Sequence, residues 1–143
     1  MRNCYMVPVQ VLSLSLVMLC AVGLWAQAPP TNTIVVVGQH QCPGCQDALP
    51  TLGWLHPKWQ EKGLKVLYYS LDAAPQDYTA YPVAVTRLQE RWEHPIIKKL
   101  GTYATPTYYW FNAVGDQVAE TETAMQMHLE IVRRSNTNAA TPM

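Results

Sequence analysis

Apolar residues along this chain fall into short unbroken runs and helix-spaced recurrences, and the order of the two sets out an α/β fold. Ile34-Val35-Val36-Val37 is an unbroken run of the buried-strand kind; Ala48, Leu49, Leu52, Leu55 and Trp59 then recur at helical spacing. A helix is predicted over Cys45 to Glu61, ended by Gly63, and Leu64 to Leu71 reads as a second strand. Two like strands joined by a helix make a parallel, right-handed crossover. Asp72 to Tyr81, rich in Pro, Asp and Ala, reads as a surface connection. Val85, Leu88 and Trp92 return to helical spacing, as do Ile96, Ile97 and Leu100 after the break at Pro95, with Gly101 closing the helix. Thr107 to Asn112 and Gln117 to Thr121 flank a hairpin turn at Ala113-Val114-Gly115-Asp116, and Met125, Leu129 and Val132 mark a final helix.

The N-terminal segment has a different pattern. Arg2 supplies a positive charge, Val9 to Leu24 an almost unbroken apolar run, and Ala26-Gln27-Ala28 a small-residue end before Pro29-Pro30. Residues 1–28 therefore read as a signal peptide or an N-terminal membrane anchor, the short apolar core and small-residue end favouring cleavage. Either reading exports the remainder. Residues 29–134 form the expected domain and the polar stretch 135–143 a flexible C-terminal tail.

The chain has 143 residues, about half of them apolar, which is enough for one modest core. Ten basic and ten acidic residues balance, and no Lys/Arg stripe appears, so no nucleic-acid partner is expected. Membrane association is expected only if the N-terminal segment is retained. Of four cysteines, Cys4 and Cys20 lie in the export segment, leaving Cys42 and Cys45 without a second pair to build a structural disulfide framework.

Those two cysteines carry the chemistry. Cys42-Pro43-Gly44-Cys45 sits at a strand-to-helix junction, where the helix N-terminus stabilises negative charge and favours a thiolate, the nucleophilic form. The second sulfur lies one turn on, within reach of the first. The same spacing is also half of a zinc site. His40 supplies a further candidate ligand for zinc or copper, with His56, His94 or His128 to complete the set; His56 is excluded if the helix is unbroken, since eleven residues at 1.5 Å each carry it about 16 Å from Cys45.

Three further features accompany the dithiol: Pro50 five residues after Cys45, Thr105-Pro106 just before the third strand, and the turn at Asn112-Ala113-Val114-Gly115-Asp116. With the element order, they resemble the thioredoxin-like superfamily, and the run Gly101 to Thr107 is most similar in style to exported TlpA/ResA-like thiol-disulfide oxidoreductases. The resemblance covers nearly all of the exported domain. It implies a minimal β-α-β-α-β-β-α core, a mixed four-stranded sheet flanked by helices, in an exported, periplasmic enzyme without cofactor or metal. It also implies a reversible Cys42-Cys45 disulfide exchanged with protein thiols and disulfides and renewed by an upstream redox partner. Cys42 would attack and Cys45 resolve, Pro43 and Gly44 would open the helix, and Thr105 with a cis Pro106 would bind an extended substrate segment. Tyr103, in the loop before Pro106, is expected to face the dithiol.

Departures from the family narrow this reading. Gln41 stands where thioredoxins carry Trp, their buried Asp maps to Val36, and an acidic position of the ResA-like branch maps to Ala48. No proton acceptor for Cys45 is evident. His40, when protonated, would favour the Cys42 thiolate; the alternative is an exposed loop histidine. Family style points to a reductant, whereas Pro43-Gly44 reverses the thioredoxin dipeptide and points toward an oxidant. Two other classes stay open: a zinc or copper protein using the same cysteines, and a redox-inactive peptide-binding module.

Overall fold

The computed structural model describes residues 30–139, so the expected signal or anchor segment lies outside the described residues. β1 (Thr33–Gly38) is the centre of a five-stranded sheet whose edge strands are β3 (Val85–Arg87) and β5 (Gln117–Thr121). It pairs in parallel with β2 (Lys65–Ser70) and antiparallel with β4 (Thr107–Phe111). The central position explains the sequence pattern: every residue of β1 is buried, because helices cover both faces of the strand.

α1 (Pro43–Glu61) and α3 (Ala124–Ala139) cover one face, α2 (Pro95–Leu100) the other. On the first face Leu52, Leu55 and Trp59 of α1, with Met127 and Ile131 of α3, pack on Ile34, Val36, Tyr68 and Tyr108. Each such side chain, fully buried, contributes about 1.5–3 kcal/mol. On the second, Ile97 and Leu100 of α2 meet Val35, Val37, Tyr109 and Phe111. α2 ends at Gly101, whose φ of 71° places it in the left-handed region that suits a residue without Cβ.

The expected α/β class and the four expected strands are present, and a fifth joins them. The stretch at Val85 was expected to be helical from the spacing of Val85, Leu88 and Trp92. Instead Val85–Arg87 forms β3, parallel to β2, with Val85 opposite Tyr68 and Arg87 opposite Ser70. The open edge of β2 offers backbone partners that three residues rich in β-branched side chains accept, and Trp92 falls in a separate 3-10 turn, Arg91–Glu93.

Two other boundaries moved. α1 begins at Pro43 rather than Cys45, with Cys42 as its N-cap. α3 is capped by the Thr123 hydroxyl, which accepts from the Gln126 N–H at 3.2 Å, and it runs to Ala139, through the first part of the stretch expected as tail. The hairpin turn forms as expected: Asn112 Oδ1 accepts the N–H groups of Val114 and Asp116, at 3.0 and 2.9 Å. No helix among the described residues is long and apolar enough to cross a membrane.

Candidate active site

Cys42 ends the loop that leaves β1, and Pro43, with φ set for a first helical position and no N–H to satisfy, starts α1. Cys42 and Cys45 are joined as a disulfide with their Cα atoms 5.2 Å apart. The Cys45 N–H is shared between the Cys42 carbonyl, at 3.0 Å, and Cys42 Sγ, at 3.2 Å, so a donor of the first helical turn points at that sulfur. The two are unequally covered: Cys45 is 2% exposed, whereas Cys42 is only half-buried.

The Thr105-Pro106 segment reaches the same end of the sheet, because it leads into β4, the antiparallel neighbour of β1. Its peptide bond is cis, and Cys42 Sγ lies 3.5 Å from the Thr105 carbonyl oxygen. Gly44 faces Pro106 closely enough that an added Cβ would sit 3.6 Å from the proline Cδ. A groove of about 570 Å³ opens there, bordered by Gly44 and Ala48 on α1, by Tyr103, Thr105 and Pro106, and by Glu120 and Glu122 beyond. Of the expected site residues Gly44, Tyr103, Thr105 and Pro106 border this groove, and the disulfide adjoins it where Cys42 Sγ meets the Thr105 carbonyl; Pro43 and the two sulfurs are not part of its lining. Gln41 is exposed and turns away to a separate hollow beside Asp72 and Arg91.

His40 is not a free loop histidine. Its Nδ1 is 3.2 Å from the Tyr81 hydroxyl and 3.4 Å from Gln46 Nε2, and its ring stacks on Tyr81. Among the described residues no three His, Cys, Asp or Glu side chains gather as a metal-ligating group. The backbone of His40 is held on both sides. Its N–H donates to Asp72 Oδ1 at 2.8 Å, and its carbonyl accepts from Gln46 Nε2 at 2.7 Å.

Asp72 corrects the reading of residues 72–81 as a mere surface connection. It is 5% exposed, and its second oxygen accepts from Ser70 Oγ at 2.5 Å and from the Tyr78 hydroxyl at 2.6 Å. Burial, then the hydrogen bond to Asp72, pushes Tyr78 up to about 12, so it acts as a neutral donor. Burial likewise raises Tyr81, partly offset by the hydrogen bond from Gln46 at 3.0 Å. Asp72, Tyr78, Tyr81 and Gln46 were missed in the sequence because none belongs to a motif; the only signal was an acidic residue directly after an apolar strand.

Val36 and Ala48, at the family's acidic positions, place no charge near Cys45; Val36 is fully buried in the core. Asp47, next to Ala48 on α1, is exposed. A second groove, about 730 Å³ and largely apolar, lies where Pro30, Leu67, Tyr69, Ile96 and Phe111 meet, and neither the cysteines nor Thr105-Pro106 border it.

No protein-family model and no curated protein matches the sequence. Solved structures do match in fold. A Chlorobium tepidum protein described as a candidate thiol:disulfide interchange protein DsbE superposes with TM-score 0.58 at 17% identity, over 75% of this chain and 78% of that one. StoA from Bacillus subtilis gives 0.54 at 18%, over 69% and 82%. A thiol-disulfide oxidoreductase from Bacteroides fragilis gives 0.53 at 17%, over 71% and 82%.

Proposed function

We propose that this chain, which has the thioredoxin-like fold, is an exported thiol-disulfide oxidoreductase that exchanges the Cys42-Cys45 disulfide with protein substrates, acting as a reductant. One observation carries the reading. The two sulfurs are bonded at the N-terminus of α1, with Cys42 accessible and Cys45 covered, which is the asymmetry that an attacking and a resolving thiol require.

In the reducing direction the cycle starts from the dithiol. The Cys42 thiolate, favoured by the end of α1 and the Cys45 N–H, attacks one sulfur of a substrate disulfide. A Cys42–substrate disulfide forms, and the other substrate sulfur leaves as a thiolate that takes up a proton. Cys45, as thiolate, then attacks Cys42 Sγ, releasing the second substrate sulfur and closing Cys42-Cys45. The substrate has gained two electrons and two protons; an upstream dithiol returns both to this protein. Thr105, whose carbonyl lies beside Cys42, and Pro106 border the groove in which an extended substrate segment would lie. Export is supported by the signal-like sequence of residues 1–28, and the reducing direction by the sequence style around Thr105-Pro106.

The reduction potential of the Cys42/Cys45 pair, with mass-spectrometric identification of proteins trapped on Cys45→Ala, tests the reading. A potential near −270 mV, the thioredoxin end of the range, fits a reductant, and one near −120 mV an oxidant. A pair that never cycles between dithiol and disulfide sinks both.

A further inference from the structure

The groove beside the disulfide has a one-sided charge. Its ionised borders are the carboxylates of Glu120, in β5 (Gln117–Thr121), and Glu122 just beyond it, with no cationic residue on the border. Both are exposed, and neither has an ion-pair partner among the described residues, where Glu93 and Glu130 take the cations that are paired. Neighbouring hydroxyls are already spent as donors: Thr107 Oγ1 to the Ala104 carbonyl at 2.8 Å, Thr121 Oγ1 to the Thr123 carbonyl at 3.0 Å. What the groove leaves open to a visitor is therefore mostly acceptor oxygen. On its border Tyr103 stands 83% exposed, a large ring outside both core clusters.

Carboxylates next to an exposed aromatic ring suit one kind of partner. A guanidinium or ammonium group finds charge-assisted hydrogen bonds from the former and a cation–π contact from the latter. We propose that Glu120, Glu122 and Tyr103 select protein segments that carry Arg or Lys beside the reacting cysteine. The inference rests on the reading of Cys42-Cys45 as the exchange site and adds its substrate class. Because the carboxylates are solvent-exposed, the selection works chiefly through the rate of encounter, and salt weakens it.

The test uses the reduced protein and two peptide disulfides, identical except that Arg or Glu flanks the cysteine, with hydroxyethyl disulfide as an uncharged reference. The Arg peptide is expected to react faster by on the order of tenfold at low ionic strength, the ratio shrinking as salt is added. In the Glu120→Gln/Glu122→Gln variant the Arg-to-Glu ratio should fall toward one, and Tyr103→Ala should lower it part of the way. Glu61→Gln, a change at the exposed end of α1, should keep it. The ratio is internal to each variant, so a general loss of activity does not disturb it. Equal rates for both peptides in the unaltered protein, or a preference that survives loss of both carboxylates, overturn the inference while exchange itself stands. Failure with all three disulfides instead overturns the reading of the site.

Discussion

The backbone N–H of His40 donates to Oδ1 of Asp72 at 2.8 Å, across 32 positions of sequence. It ties the loop that presents Cys42 to the end of β2, while Gln46 ties the same peptide to the first turn of α1. Asp72 serves three donors at once, so losing it strands several buried groups. Asp72→Ala should lower stability by about 2–3 kcal/mol, because each buried donor left without a partner costs about 1–3 kcal/mol and water can rescue some. Urea unfolding of the oxidised protein measures it; a change below about 0.5 kcal/mol would show that the carboxylate does not hold the loop.

Unequal burial of the two sulfurs predicts unequal reactivity after reduction. Iodoacetamide should modify Cys42 faster than Cys45 by at least about tenfold under native conditions, and the difference should vanish in denaturant. Peptide mapping of briefly treated protein reads both rates. Equal rates in the native state would contradict the assignment of Cys42 as the attacking thiol.

Alkaline pH should weaken the fold through its tyrosines. Burial pushes Tyr108 up to about 12, and burial with the Asp72 hydrogen bond does the same for Tyr78, against an ordinary value near 10. The folded state then holds protons that the unfolded state has lost, so this stabilisation is complete below pH 10 and disappears as pH rises from 10 toward 12. Unfolding midpoints across that window should fall, and Tyr108→Phe should flatten the fall.

Gly38 and Tyr68 define a steric pair. A Cβ at Gly38 would overlap the Tyr68 hydroxyl, which is buried and has no hydrogen-bond partner among the described residues. Gly38→Ala should cost about 1–3 kcal/mol by overpacking. Tyr68→Phe alone should be close to neutral or stabilising, since it removes an unsatisfied buried group, and the double variant should recover part of the Gly38→Ala loss, the ring Cζ still lying 2.7 Å from the added Cβ. Additive single effects would show that the two side chains do not meet.

How legible this molecule was depended on whether an element is specified locally. The run Ile34 to Val37 and the helix through Leu52, Leu55 and Trp59 satisfy their own periodicity, and they form where expected. β3 is specified by the open edge of β2, which the spacing of Val85, Leu88 and Trp92 cannot show. α3 was found but its face was not: Met125 and Leu129 lie exposed, whereas Ala124, Met127 and Ile131 carry the packing. Met125 and Leu129 are one turn apart, so they satisfied the helical period while marking the wrong stripe. Trp54, on the same helix as Trp59, is 57% exposed with the Lys58 ammonium over its ring. At the site the motif residues were readable because their chemistry is tied to spacing, and the Asp72, Tyr78 and Gln46 supports were not, because they converge only through tertiary contact.

The direction of β1 has a geometric outcome. Thr33 and Gly38 stand at opposite ends of a six-residue strand, roughly 17–20 Å apart, and Cys42 follows the far end. The polypeptide therefore enters the domain at the pole opposite the disulfide. A tether, fusion partner or solid support joined through the N-terminal side of β1 is therefore attached at the end away from Cys42, the accessible sulfur of the pair.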